Sequence, residues 1–116
     1  MNYQRGRTFE WKVRDALQED GYDVLRSAGS KTKIDLVAIK PGQILFIQCK
    51  RTNGQIPPAE REKLVLLAKY VNALALVASQ PVPRKPLVYR RLTGFGPKDW
   101  VGWSPDDTGE ISEKLS

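Results

Sequence analysis

Apolar residues fall along this 116-residue chain in two rhythms. Phe9, Val13, Ala16 and Leu17 recur at helical spacing and predict a helix over residues 8–20, with Thr8 as N-cap and Gly21 as the stop. Tyr22 to Ser27 reads as a short strand, and AGSKTK after it as a loop. IDLVAIK (34–40) is rich in β-branched residues and predicts a strand. Pro41-Gly42 is a turn pair, and QILFIQCK (43–50) predicts the returning strand. RTNGQIP (51–57) reads as a loop. Pro58 fits the first turn of a second helix running to about Asn72, with Leu64, Leu67, Ala68 and Val71 as its buried stripe. LALVAS (74–79) predicts another strand. Pro81, Pro83 and Pro86 interrupt the chain before LVYRRL (87–92), a last, exposed strand. GFGPKDWVGW (94–103) reads as irregular and aromatic. The order α-β-β-β-α-β-β predicts an α/β fold: a mixed sheet of about five strands flanked by helices.

Length and composition narrow the chemistry. The chain has room for one domain, expected over residues 1–103 with an acidic, flexible tail over 104–116. Apolar residues make up 41% and charged residues 28%, a soluble globular balance. No apolar run approaches the ~20 residues of a membrane span. MNYQRGRTFEWK has no apolar stretch behind its charges, so no secretory signal is expected. The absence of histidine removes Ser-His-Asp and Cys-His nucleophile systems and His-ligated zinc. One cysteine permits no intrachain disulfide and fits a reducing, cytoplasmic setting. Catalysis in such a chain would run on carboxylates, lysine and a hard metal ion with oxygen ligands.

The net charge is +6, unevenly spread. Residues 104–116 carry four acids and one lysine, leaving 18 basic and nine acidic side chains in the first 103 residues. A body that basic is the electrostatic footprint of a nucleic-acid binder, although ribosomal, membrane-surface and merely basic proteins share it. The tail, opposite in charge, would fit the basic surface as a DNA mimic.

The predicted hairpin gathers a candidate site. With Pro41 and Gly42 as the loop, facing residues sum to 83, and Asp35 lies opposite Gln48. Alternation then sends Asp35, Gln48 and Lys50 to one side, and Ile34, Leu36, Ala38, Leu45, Ile47 and Cys49 to the core side. Opposed side chains start ~5 Å apart. A divalent cation held there by oxygen ligands would stabilise charge on a phosphodiester and lower the pKa of bound water. Asp35 supplies a carboxylate, Gln48 a neutral carbonyl oxygen, and the Cys49 backbone carbonyl could add another. Lys50 can orient the attacking water or meet the developing charge. Glu10 lies at the edge of the first helix's apolar stripe. It is either aimed at this site or an ordinary solvated glutamate. Asp35 also has a plain reading, an ion pair with Lys50 or Lys33. Arg26, Lys31, Lys33, Arg51, Arg84, Lys85, Arg90 and Arg91 fall at loops and strand ends around the site. They are either phosphate contacts or solvated basic surface. Cys49 reads as a small buried hydrophobe. Phe95, Trp100 and Trp103 are core plugs or part of a subunit contact.

Glu10, IDLVAIK with Asp35, and Gln48-Cys49-Lys50 resemble the PD-(D/E)xK nuclease core. RGRTFEWKVRDAL, GYDVLRSAGS, KIDLVAIKPGQILFIQCKR and the Pro-led helix resemble, more narrowly, the archaeal-type Holliday junction resolvases over about residues 5–80. The resemblance implies a restriction-endonuclease-like core and a Mg²⁺-dependent endonuclease, with Mn²⁺ as a substitute and no small-molecule cofactor. It implies a homodimer that cuts four-way DNA junctions symmetrically, one site per subunit. Glu10, Asp35 and Gln48 match its metal positions, Lys50 its catalytic lysine, and Ser30 a serine near the active site. Arg5 and Arg7 match the basic N-terminal segment associated with the DNA backbone. Two residues depart from the pattern: Ile34 stands where a proline is expected, and Gln48 where a glutamate is usual. A QxK form occurs in some nuclease branches, so Gln48 predicts weaker metal binding and leaves activity open. Two other readings stand beside the resolvase: a restriction-like or repair nuclease on duplex or modified DNA, and a non-catalytic nucleic-acid binder on a nuclease fold.

Overall fold

In the computed structural model, which describes residues 2–27 and 34–105, helix α1 spans Asn2–Glu19. Thr8 is therefore an interior helical residue and not an N-cap. The polar segment before it carries no apolar stripe, yet only Gly6 in it disfavours a helix. Phe9, Val13 and Leu17 are buried at four-residue intervals. Gly21, at φ 95°, ends the helix. Its N–H donates to the Gln18 carbonyl and the Tyr22 N–H to that of Leu17, a Schellman closure.

Six strands follow: β1 (Asp23–Arg26), β2 (Leu36–Lys40), β3 (Gln43–Cys49), β4 (Leu74–Ser79), β5 (Val88–Leu92) and β6 (Trp100–Trp103), with α2 (Pro58–Tyr70) between β3 and β4. They form one sheet in chain order. All neighbours are antiparallel except β3 and β4, which are parallel because α2 carries the chain back between them. Residues 75–79 of β4 are all buried, as a near-continuous apolar run at the centre of a two-sided sheet should be.

The two faces hold separate cores. On one, Phe9, Val13 and Leu17 of α1 meet Leu36, Ala38, Leu45 and Ile47 of the hairpin, with Leu76, Tyr89 and Trp103 beyond. On the other, Leu64, Val65 and Ala68 of α2 pack with Ala75, Phe46 and Leu92. The buried stripe of α2 is Arg61, Leu64, Val65 and Ala68, so the prediction was right at Leu64 and Ala68 only. The helix ends at Tyr70, which leaves Val71 exposed beyond it, and Leu67 is only half-buried. Buried Arg61 is held by the carbonyls of Ile56 and Phe95, both at 3.1 Å, and ties the loop before α2 to the loop before β6.

The sixth strand comes from the segment read as irregular. Thr93 N–H donates to the Asp99 carbonyl at 2.8 Å, and Gly96 N–H to Asp99 Oδ2 at 2.9 Å. This turn returns the chain alongside β5, so β5 is not the last strand, and its Tyr89 is buried. Trp103 packs edge-on against Tyr89 with ring centroids 5.6 Å apart, a core contact. Trp100 and Phe95 stay exposed, and the Arg90 guanidinium lies 4.3 Å over the Trp100 ring.

Candidate active site

The β2–β3 register follows the expected sum, from Lys40 opposite Gln43 to Leu36 opposite Ile47. There the ladder stops. The chain bends at Asp35, whose N–H donates to the Ile47 carbonyl at 2.8 Å, one residue out of register. The bend breaks the alternation. Ile34, expected on the α1 face with Leu36, packs instead into the α2-side core.

Asp35 occupies the position where β2 would have continued. Its Oδ2 accepts the Cys49 N–H at 2.8 Å, while its carbonyl accepts the Ser27 N–H at 2.9 Å. Burial pushes its pKa above the usual carboxylate value. The Cys49 hydrogen bond opposes this, nearby Glu10 adds to it, and Lys50 and Arg26 pull it down. Glu10, half-buried on α1, accepts the Arg26 Nε–H at 2.8 Å. Arg26, a candidate phosphate contact, is thus engaged by a carboxylate. The Cys49 thiol is pushed far up by burial, then by the charges of Asp35 and Glu10, and it packs against the α1-side core as a small hydrophobe.

Gln48 and Lys50 meet a residue that sequence reasoning missed. Gln48 is buried, and its Nε2 donates to Glu60 Oε1 at 3.2 Å. Lys50 Nζ lies 3.9 Å from the same oxygen. Glu60 sits in the first turn of α2, started by Pro58. The structure therefore brings the expected polar groups to one end of the hairpin, but as two linked sets, one towards α1 and one towards α2, and not on the single side that alternation predicts, because the bend at Asp35 interrupts it. Asp35 stands with Glu10 and Arg26, and Gln48 and Lys50 stand with Glu60. The Asp35–Cys49 hydrogen bond joins the sets. Arg51 is exposed in the turn that follows. Ser30, Lys31 and Lys33, and the side chains of Arg5 and Arg7, lie outside the described residues, as does the tail from residue 106.

Among the described residues no three His, Cys, Asp or Glu side chains cluster closely enough to hold a metal ion by themselves. Two observations nevertheless suit a hard dication. Asp35 is a carboxylate whose charged form is penalised as it stands. Gln48 Oε1 is a buried carbonyl oxygen with no hydrogen-bond partner among the described residues. Mg²⁺ is commonly held by one or two carboxylates with several waters retained, so the donor set fits.

A mixed sheet whose hairpin ends in an aspartate and a QxK run, backed by an acid-bearing helix, defines a restriction-endonuclease-like α/β core. Comparison with known proteins narrows that class. The model of the archaeal Holliday junction resolvase family, Hjc, matches residues 1–92, and the chain belongs to that family. It is 38% identical over 66 residues to the crossover junction endodeoxyribonuclease Hjc of Methanocaldococcus jannaschii, an alignment covering 54% of this chain and 49% of that protein. The match thus spans about half the length of that relative. The solved structure of Archaeoglobus fulgidus Hjc, a Holliday junction resolvase from an archaeal hyperthermophile, superposes with a TM-score of 0.62 at 28% identity, covering 73% of this chain and 70% of that one.

Proposed function

We propose that the protein is a metal-dependent DNA endonuclease that resolves four-way junctions, with residues 1–103 as its nuclease domain and one site in each subunit of a homodimer. The observation that carries this reading is the position of Asp35, Gln48 and Lys50 at the end of the β2–β3 ladder, beside Glu10, in a member of the resolvase family. Mg²⁺ is the proposed ion and Mn²⁺ its substitute. Asp35 and Gln48 Oε1 would hold it, with Glu10 and the Cys49 carbonyl completing the oxygen set. Bound there, it supplies charge neutralisation at the phosphate and an acidified water.

The chain's own groups do the rest. The Cys49 N–H fixes one oxygen of Asp35 and so orients the carboxylate. The Lys50 ammonium can orient water or meet charge that develops on the phosphate oxygens. Arg26 steadies Glu10 and remains partly exposed for the DNA backbone. Arg51, with Arg5, Arg7, Lys31 and Lys33, would add phosphate contacts, and Ser30 would lie near the reacting group. Such contacts read backbone shape more than sequence. Two-fold symmetry would set two identical sites on opposed strands of the junction. A cytoplasmic, DNA-associated location fits this role, and among the described residues no helix is long and apolar enough to cross a membrane.

The test compares cleavage of a four-way junction and a linear duplex, at matched salt, with Mg²⁺ and with chelator. Junction cleavage that needs the metal and outpaces duplex cleavage is expected. Equal cutting of both substrates would favour a general nuclease. Metal-independent binding without cutting would favour a non-catalytic binder, the reading to which Gln48 lends weight.

A further inference from the structure

Gln48 poses a problem of orientation that a glutamate would not. The two ends of an amide have nearly the same shape, but only the oxygen can ligate a hard cation. Turned the other way, the side chain would aim two N–H donors at the metal position. A site built on glutamine needs a group that sorts the two ends.

Glu60 has the chemistry for this. An ionised carboxylate only accepts hydrogen bonds, so it selects the amide nitrogen. Its Oε1 takes the Gln48 Nε2–H at 3.2 Å and lies 3.9 Å from the Lys50 ammonium. Gln48 itself is only 6% exposed. With its nitrogen committed to α2, the oxygen left over is the buried Oε1 that has no partner among the described residues. A buried carbonyl in that state is held at a cost that a cation would remove. Glu60 is held in turn by its place in the first turn of a helix, where a negative charge is favoured.

We propose that Glu60 is a positioning residue, which pins the Gln48 amide nitrogen so that Oε1 faces the metal site, and which holds Lys50 through the same carboxylate oxygen. This rests on the metal-dependent reading above. It predicts that the need for Glu60 belongs to glutamine at position 48. A glutamate there presents the same atom at either end and needs no sorting.

The experiment titrates Mn²⁺ into the DNA-free protein by calorimetry, with thermal melting to verify folding, for wild type, Glu60→Ala, Glu60→Gln, Gln48→Glu and the double variant Gln48→Glu/Glu60→Ala. Loss of an outer partner of a metal ligand weakens affinity about 10–100-fold, and Glu60→Ala should fall in that range. Glu60→Gln offers a donor as well as an acceptor, so it can pair with either end of the Gln48 amide, and should bind Mn²⁺ more weakly than wild type but no more weakly than Glu60→Ala. In the Gln48→Glu background Glu60→Ala should cost nothing, or help, because two like charges are then separated. The proposal is overturned if Glu60→Ala binds Mn²⁺ like wild type. It is overturned equally if Glu60→Gln binds Mn²⁺ as tightly as wild type, because an acceptor-only partner would then not be what orients the amide. Persistence of the Glu60→Ala loss in the Gln48→Glu background would also sink it. A wild-type protein that neither binds Mn²⁺ nor cuts junctions would remove the functional reading with it, whereas normal wild-type behaviour with an indifferent Glu60 removes this inference alone.

Discussion

Replacing Asp35 by asparagine separates chemistry from folding. Asparagine keeps the size of the side chain and an oxygen that can accept the Cys49 N–H, now seen at 2.8 Å. It removes a charge that burial and Glu10 both disfavour. The charge-assisted character of the Cys49 bond is lost, which offsets part of that gain. The net change in stability without metal at pH 7 should lie within about 1 kcal/mol and lean towards stabilisation. Function should respond differently. A metal centre contributes several kcal/mol of transition-state stabilisation, and each 1.4 kcal/mol is about tenfold in rate, so junction cleavage should fall by roughly 10²–10⁴-fold. The pH dependence gives a second readout. Because the folded-state pKa of Asp35 is raised, the favourable contribution is fully present below the ordinary aspartate value of 3.8. It is lost as pH rises from there through the raised folded-state value. Denaturant melts of metal-free protein across this range should show that decline in wild type and a weaker one in the variant. A variant that cuts junctions at the wild-type rate would refute the assignment of Asp35 as metal ligand. A variant several kcal/mol less stable would mean that the carboxylate is a structural group.

Three further substitutions probe the frame around the site. Gly54 has φ 70°, and a Cβ there would sit 3.3 Å from Ser79 Oγ and 3.4 Å from the Arg90 guanidinium carbon. Gly54→Ala should cost about 1–2 kcal/mol and lower Tm by several degrees in a thermal melt. Arg61→Ala removes two charge-assisted bonds to loop carbonyls and should destabilise by about 2–4 kcal/mol in a urea titration, with Tm falling in parallel. Arg51→Ala should leave stability unchanged but weaken junction binding. It should lower the slope of log affinity against log salt by about 1, read from binding isotherms at several salt concentrations.

The parts of this protein that were legible in the sequence are those specified by local rules. A two-residue turn set the hairpin register, and the LALVAS run reappears as β4 without a shift at either end. The misses arose where local rules end. The first turns of α1, NYQRGR, carry no apolar stripe in the sequence, so periodicity gives no sign of them. β6 was hidden by Gly94, Gly96 and Pro97, which form its approach, while the Asp99 side chain that closes the turn gives no periodic signal. Ile34 was assigned to the wrong face because alternation was carried through a bend that only the Asp35 hydrogen bonds reveal. Glu60 was overlooked for a different reason. A glutamate in the first turn of a helix is ordinary, and only the crossover from β3 through α2 brings it to a glutamine twelve positions earlier.

One detail of the sheet reaches further than the site. β2 begins only at Leu36, opposite Ile47, but β3 runs on to Cys49, so the last two residues of β3 are paired as strand with β4 alone. The polar groups hang from this overhang, beyond the pairs that the hydrophobic layers clamp. Gln48, though buried, belongs to neither apolar cluster, so a polar residue of the same size at position 48 leaves both cores as they are. The charge carried at this end of the sheet can therefore change while the two packed layers behind it keep their contacts.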